Sequence, residues 1–124
     1  MTATARIIIS GLEVFAYHGC TPQEKERGQR FVIDVELDYD AAAAIADDDL
    51  SKAVDYDQLS TEVYEIATRE RYDLIETLAS RIGEHVMMTT AARSVLVRVG
   101  KPEAPMRREV EAVAVEMVFG ADGR

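Results

Sequence analysis

The residues Val95-Leu96-Val97-Arg98-Val99-Gly100-Lys101-Pro102 form an alternating apolar run that ends in a proline-closed turn. The three valines share one face of a predicted β-strand. Gly100 lets the backbone leave the sheet, and Pro102 has no N–H group with which to continue the ladder. This pattern places Lys101 at the carboxyl end of the strand. A lysine in a turn is most often a solvated surface charge, so any chemical role depends on what the rest of the chain brings to it.

Three further segments have the two-residue period of strands. The clearest begins at Phe31, and its apolar and polar faces separate completely. The first strand changes phase at Gly11, which predicts a β-bulge rather than a break. The apolar faces are, in chain order, Ile7, Ile9, Leu12, Val14 and Ala16; Phe31, Ile33, Val35, Leu37 and Tyr39; and Val113, Val115, Met117 and Phe119.

Two segments have the 3.6-residue period of helices. The first starts at Asp57 and the second near Asp73; their inward positions are Leu59, Val63 and Ile66, and Ile75, Leu78, Ile82 and Val86. Between the first two strands, Cys20 to Gln29 is predicted to be a polar loop, and Asp40 is predicted to cap a short turn over Ala41–Ala46.

The resulting order is strand, strand, helix, helix, strand, strand. It favours an α+β fold in which a four-stranded antiparallel sheet carries both helices on one face. Open sheet edges favour oligomerisation. A tail from Gly120 to Arg124 is predicted to fray.

The length of 124 residues predicts one domain spanning 1–124. The formal net charge of -9 argues against nucleic acid or an anionic membrane as partner.

No segment has the pattern of a signal peptide or a membrane span, so we expect a cytoplasmic protein. Cys20 is the only cysteine, which excludes an intrachain disulfide. Because the chain has only two histidines besides that cysteine, a zinc site is disfavoured.

Four side chains could converge on Lys101, and each also has a structural explanation. Glu24 is one of several charges in the polar segment. Tyr56 could pack the entry of the first long helix against the sheet. Glu76 stands three residues after Asp73, the spacing of a capping box. His18 could be a satisfied histidine at the end of a strand. Cys20 is interpreted as a small buried residue, since nothing in the pattern activates it.

Five blocks of the sequence together resemble the dihydroneopterin aldolase family of folate biosynthesis, in the family's order and at compatible spacings. They are Tyr17-His18-Gly19 with Glu24 and Gly28-Gln29-Arg30-Phe31; Asp47-Asp48-Asp49-Leu50; Val54-Asp55-Tyr56; Leu74-Ile75-Glu76-Thr77-Leu78-Ala79; and Lys101-Pro102-Glu103-Ala104-Pro105. The resemblance covers nearly the whole chain. It implies the tunnelling fold, in which the sheets of four subunits close a barrel that usually stacks into an octamer, with active sites between subunits.

The resemblance also implies an aldehyde-lyase. It would cleave 7,8-dihydroneopterin into 6-hydroxymethyl-7,8-dihydropterin and glycolaldehyde, and would allow epimerisation to dihydromonapterin. Glu76 would anchor the pterin ring, helped by the backbone around Ile75. Tyr56 of the adjacent subunit would lie against the ring and take part in proton transfer. Glu24 would position Lys101 or the substrate's hydroxyls, and Lys101 would be the general base. No metal, cofactor or Schiff base is implied, because the dihydropterin C=N accepts the electrons.

Two departures from the family pattern keep alternatives open. Arg107 and Arg108 follow Met106 where the family has an uncharged turn, which would suit an epimerase acting on dihydroneopterin triphosphate. Cys20 stands where an aliphatic residue is expected. A non-catalytic, pterin-binding oligomeric protein is the other alternative.

Overall fold

The sheet has the predicted architecture. The computed structural model describes residues 1–120, and its strands are β1 (Thr4–Ala16), β2 (Gln29–Asp40), β3 (Ser94–Lys101) and β4 (Val113–Gly120). They form one four-stranded antiparallel sheet in the order β1-β2-β3-β4. Each strand therefore pairs with its predecessor in the chain, and β1 and β4 lie at the two edges.

The β1–β2 register shifts at Gly11, as the change of phase predicts. Ile9 is opposite Val35, whereas Leu12 is opposite Ile33. Gly11 has a φ of 73°, and its N–H donates to a carboxylate oxygen of Asp34 at 2.6 Å. The bulge keeps the apolar side chains before and after it on the same, inward face of the sheet.

The helices are α1 (Pro22–Arg27), α2 (Ala42–Asp47), α3 (Tyr56–Arg69) and α4 (Ile75–Thr89), with a short 3₁₀ turn at Leu50–Lys52. The prediction of a loop over Cys20–Gln29 is wrong, because α1 occupies its centre. Thr21 and Glu24 form a capping box around this helix, and Pro22 stands in its first turn. Those three residues are an N-terminal helix signature in the sequence. Asp40 accepts from the N–H of Ala42, the first residue of α2, but the N-cap position is Ala41 rather than the predicted Asp40.

The core lies between one face of the sheet and helices α3 and α4. Phe31, Ile33 and Val35 of β2 are almost fully buried there, together with Val63 of α3 and Ile82 of α4. The prediction that both helices cover one face is confirmed. The opposite face carries ion pairs, including Arg6 with Asp38 and Arg98 with Glu116.

The last strand ends at Gly120, and the rest of the predicted tail lies outside the described residues. None of the helices within residues 1–120 is both long enough and apolar enough to cross a bilayer.

Candidate active site

Lys101 and Glu24 meet at one end of the sheet. Lys101 is the last residue of β3, and its Nζ lies 2.8 Å from Oε2 of Glu24 in α1. The Lys101 side chain is 14% exposed and that of Glu24 only 7%. This is a largely desolvated ion pair, in contrast to the exposed pairs elsewhere on the surface. The structure thus brings together two of the predicted site residues.

Glu24 is held on both oxygens. Its Oε1 accepts from the backbone N–H groups of Cys20 and Thr21, at 3.2 and 3.3 Å, and Oε2 accepts from Gln29 Nε2 at 2.9 Å and from Lys101. Burial raises the pKa of the Glu24 carboxyl, but hydrogen bonds from Lys101, Gln29 and the Thr21 backbone outweigh it and lower the pKa to about 2. Glu24 is therefore ionised at neutral pH.

Gly19 provides the space that Glu24 needs. Its φ is +154°, and a Cβ at this position would lie 2.4 Å from Cδ of Glu24. Any side chain here would displace the carboxylate. The glycine in the motif Tyr17-His18-Gly19 is thus explained by the close approach of Glu24 to the backbone.

His18 is a structural residue rather than a member of the reacting cluster. It is completely buried, its Nε2 lies 2.8 Å from the carbonyl oxygen of Ala67, and its Nδ1 accepts from the N–H of Tyr72 at 3.1 Å. These partners assign the neutral tautomer with the proton on Nε2. Burial lowers the pKa of the imidazole, against the effect of the bond to Ala67. His18 therefore ties the end of β1 to the α3–α4 connection.

The amino end of α4 lies at the same end of the sheet as Lys101. Asp73, just before the helix, forms an ion pair with Lys25 of α1 at 2.8 Å, and its carbonyl accepts from the Cys20 thiol at 3.2 Å. Ile75 is buried and Glu76 is exposed. The interpretation of Cys20 as a buried residue is wrong, since its side chain is exposed.

Glu76 is not a capping residue. The N-cap of α4 is Leu74, and no side chain among the described residues caps the helix. The capping-box alternative for Asp73 and Glu76 is therefore wrong, and the exposed carboxylate is available for another partner. The amides in the first turn of α4 also lack a side-chain acceptor, and such amides are natural ligands for carbonyl oxygens or anions.

Tyr56 lies apart from the other candidates of its own chain. It is the first residue of α3, is 64% exposed and lines a groove with Ile7, Ile9 and Ser60. Ile9 and Ala16 are seven residues apart on β1, which corresponds to about 23 Å of strand, and Ala16 pairs with Gln29 near Glu24. Tyr56 of one chain therefore does not reach Lys101 of the same chain.

The fold is that of a tunnelling-fold protein, with the buried Lys101–Glu24 ion pair at one end of its sheet. Residues 7–118 match the family model for FolB, dihydroneopterin aldolase. A dihydroneopterin aldolase of Streptomyces coelicolor is 37% identical over 113 residues, which are 91% of this chain and 95% of that protein. The chain belongs to the dihydroneopterin aldolase family, and the resemblance noted in the sequence is confirmed. Its reaction is the retro-aldol cleavage of 7,8-dihydroneopterin in folate biosynthesis.

Solved structures agree with this assignment. A dihydroneopterin aldolase of Burkholderia thailandensis bound to guanine is 30% identical, has a TM-score of 0.79, and is matched over 96% of this chain and 93% of that one. An E. coli dihydroneopterin aldolase in complex with neopterin has a TM-score of 0.85 over 94% of this chain and 99% of that one. At 24% identity, this second match supports the fold alone.

Sequence reasoning assigned no role to Gln29, which donates to the same oxygen of Glu24 as Lys101 does. Strand alternation could have indicated it, because Gln29 shares the inward face of β2 with Phe31. Arg107 and Arg108 are exposed in the loop after Lys101.

Proposed function

We propose that the chain catalyses the retro-aldol cleavage with its own side chains and the electron sink of its substrate, without a metal ion or a Schiff base. The observation that carries this proposal is the buried contact between Lys101 and Glu24. Glu24 is saturated with hydrogen bonds, which favours the role of positioning Lys101 over that of binding the substrate's hydroxyls. Lys101 is then the group that moves the proton.

The proposed reaction balances without an added cofactor. After losing its own proton, Lys101 takes the proton of the 2′-hydroxyl, directly or through water. The C1′–C2′ bond then breaks, C2′ becomes the aldehyde carbon of glycolaldehyde, and the electron pair moves through C1′ into the C=N of the dihydropterin ring. Protonation of C1′ gives 6-hydroxymethyl-7,8-dihydropterin.

The hydrogen bonds of the two histidines favour the metal-free part of the proposal. His18 bonds to the backbone and His85 to Glu62, so both rings already have other partners.

The proposed pterin anchor is Glu76, with the backbone at Ile75. A pterin presents an amide N–H and an amino group along one edge, and a single carboxylate can accept from both. Guanine has the same donor edge, and guanine is bound in the Burkholderia structure. Glu76 is exposed beside the uncapped first turn of α4, where the ring carbonyl would find backbone donors.

The remaining proton donor is proposed to be Tyr56 of a neighbouring copy, acting on C1′ with an ordered water. Tyr56 of α3 lies beside the far end of β1 and does not reach Lys101 of its own chain. Ile8, which lines the same groove as Tyr56, is 60% exposed. Within residues 1–120, β1 and β4 each pair on one side only. Pairing of these edges between copies would form the barrel of four subunits and bring Tyr56 to the neighbour's site. Stacking of two such barrels into an octamer stays a prediction, and so does a cytoplasmic location.

The chemistry is tested by measuring glycolaldehyde release from 7,8-dihydroneopterin in the presence of EDTA and, separately, after borohydride treatment. We expect full turnover in EDTA and no covalent adduct with borohydride. Loss of activity in EDTA that added zinc restores would contradict the metal-free mechanism, and a borohydride-trapped adduct on Lys101 would contradict the absence of a Schiff base.

The alternative of a triphosphate epimerase is motivated by the exposed Arg107 and Arg108. It predicts epimerisation of dihydroneopterin triphosphate without glycolaldehyde release. Turnover of the unphosphorylated pterin at the higher kcat/KM excludes it, and we expect that result.

A further inference from the structure

The side-chain amide of Gln29 uses its NH₂ group in a hydrogen bond, whereas its carbonyl oxygen has no hydrogen-bond donor among the described residues. Its Nε2 donates to Glu24 Oε2 at 2.9 Å. Its Oε1 is buried, and no donor within residues 1–120 reaches it. A buried carbonyl oxygen without a donor is unusual in a folded protein and destabilises it.

The orientation of this amide is fixed by its neighbour. Glu24 is ionised, so only the NH₂ end of Gln29 can face its carboxylate; the reverse orientation would set two acceptors against each other. Oε1 must therefore point away from Glu24. The unmatched acceptor is a consequence of the Glu24 contact rather than an arbitrary choice of rotamer.

The sheet places Gln29 beside the reacting group. Val32 of β2 pairs with Gly100 of β3, so Phe31 is level with Lys101, and Gln29 is one pleat further on the same face of β2. Gln29 and Lys101 also share the oxygen Oε2 of Glu24. Gln29 and Lys101 therefore lie at the same end and on the same face of the sheet, and both contact Glu24.

We propose that Gln29 is a substrate-contacting residue whose Oε1 accepts a hydrogen bond from a hydroxyl of the pterin's polyhydroxy side chain, while its Nε2 holds Glu24. The inference rests on the proposed function, since it takes that side chain to lie over the Lys101–Glu24 pair. It assigns recognition of the side chain to a neutral acceptor, whereas Glu76 recognises the ring. Pterins with a hydroxylated side chain are therefore bound better than pterins without one.

The test compares two ligands on the full-length Gln29→Met variant. Methionine has nearly the shape of glutamine but lacks both polar atoms. Dissociation constants are measured for neopterin and for 6-methylpterin, which has the same ring and no hydroxyl. We expect neopterin to bind about 5- to 10-fold more weakly, the value of one hydrogen bond, and 6-methylpterin to bind as it does to the unaltered protein. Gln23→Met, at an exposed position of α1, is the matched control and should change neither constant.

Two results would overturn the proposal. Equal weakening of both ligands would mean that Gln29 only maintains the shape of the site. Unchanged affinities with a lower kcat would mean that Gln29 acts solely through Glu24 and Lys101. If Gln29→Met does not fold, a crystal structure of the unaltered protein with neopterin decides: a ligand hydroxyl must lie within about 3.2 Å of Oε1.

The two dissociation constants are independent of the proposed mechanism. They measure binding, so they stand even if Lys101 is not the base. Failure of the unaltered protein to bind either pterin would instead contradict the proposed function itself.

Discussion

Glu24 Oε2 lies 2.8 Å from Lys101 Nζ, although the two residues are 77 positions apart in the chain. One belongs to a six-residue helix between β1 and β2, and the other ends β3. The contact forms because β2 pairs with β3 and brings the end of α1 next to the end of β3. Most consequences that can be tested follow from this pair.

Lys101→Arg should retain the fold but lose turnover. Arginine keeps the positive charge beside Glu24, so no buried charge is left alone, yet a guanidinium does not release its proton in the accessible pH range. We expect kcat to fall by about 10²- to 10⁴-fold, with neopterin affinity nearly unchanged. Steady-state kinetics and ligand titration measure the two effects. Lys52→Arg, on the exposed surface, is the control, and full activity of Lys101→Arg would rule out proton transfer by Lys101.

Glu24→Gln should reduce stability in a pH-dependent way. The folded-state pKa of Glu24, about 2, lies below its ordinary value of 4.5, so its ionisation stabilises the fold above pH 4.5, and this contribution disappears as pH falls toward 2. The shift corresponds to about 3 kcal/mol at neutral pH. Urea unfolding should show a gap between the wild type and the variant that is largest near neutrality and shrinks in acid.

The matched control for this experiment is Glu26→Gln, which removes the same charge from an exposed position of α1. Its effect on the unfolding free energy should be small at every pH. A constant gap between the wild type and Glu24→Gln from neutrality to acid would contradict the assigned ionisation of Glu24.

Gly19→Ala should impair the site more than Gly11→Ala does. Both glycines have positive φ, so both substitutions carry a backbone cost of about 1–2 kcal/mol. A Cβ on Gly11 meets no atom of residues 1–120 within 4 Å, whereas one on Gly19 overlaps the Glu24 side chain. We therefore expect only Gly19→Ala to lower kcat, by roughly tenfold or more. Equal kcat values in the two variants would show that the position of Glu24 does not matter for turnover.

Mixing inactive variants tests whether the site is shared between chains. Tyr56→Phe and Lys101→Arg, co-expressed in equal amounts, should regain roughly a quarter of wild-type turnover, since random assembly joins an intact Tyr56 to an intact Lys101 at one site in four. Glu24→Gln with Lys101→Arg is the control. Both of those residues come from the same chain, so mixing them should restore nothing. Lack of recovery in the first mixture would place Tyr56 outside the neighbour's site.

Much of the fold could be predicted because it depends on local periodicity. The alternation from Phe31 to Tyr39 and the change of phase at Gly11 correspond to a buried strand face and a bulge. The short helix α1 was missed because its six residues carry no apolar period, although Thr21, Pro22 and Glu24 form a capping signature. The exposure of Cys20 could not be predicted, since burial of a small residue depends on what packs over it.

The sequence by itself determined the elements, their order and the membership of a family, because periodicity and motif spacing are properties of the chain. Only the tertiary structure decided which side chains meet. It joined Glu24 to Lys101, separated Tyr56 from both, turned His18 toward the backbone and left Oε1 of Gln29 without a donor among the described residues. The physical reason is that a hydrogen bond forms only when the donor–acceptor distance is right to within a few tenths of an ångström. Strand pairing and helix packing set that distance between residues far apart in the sequence.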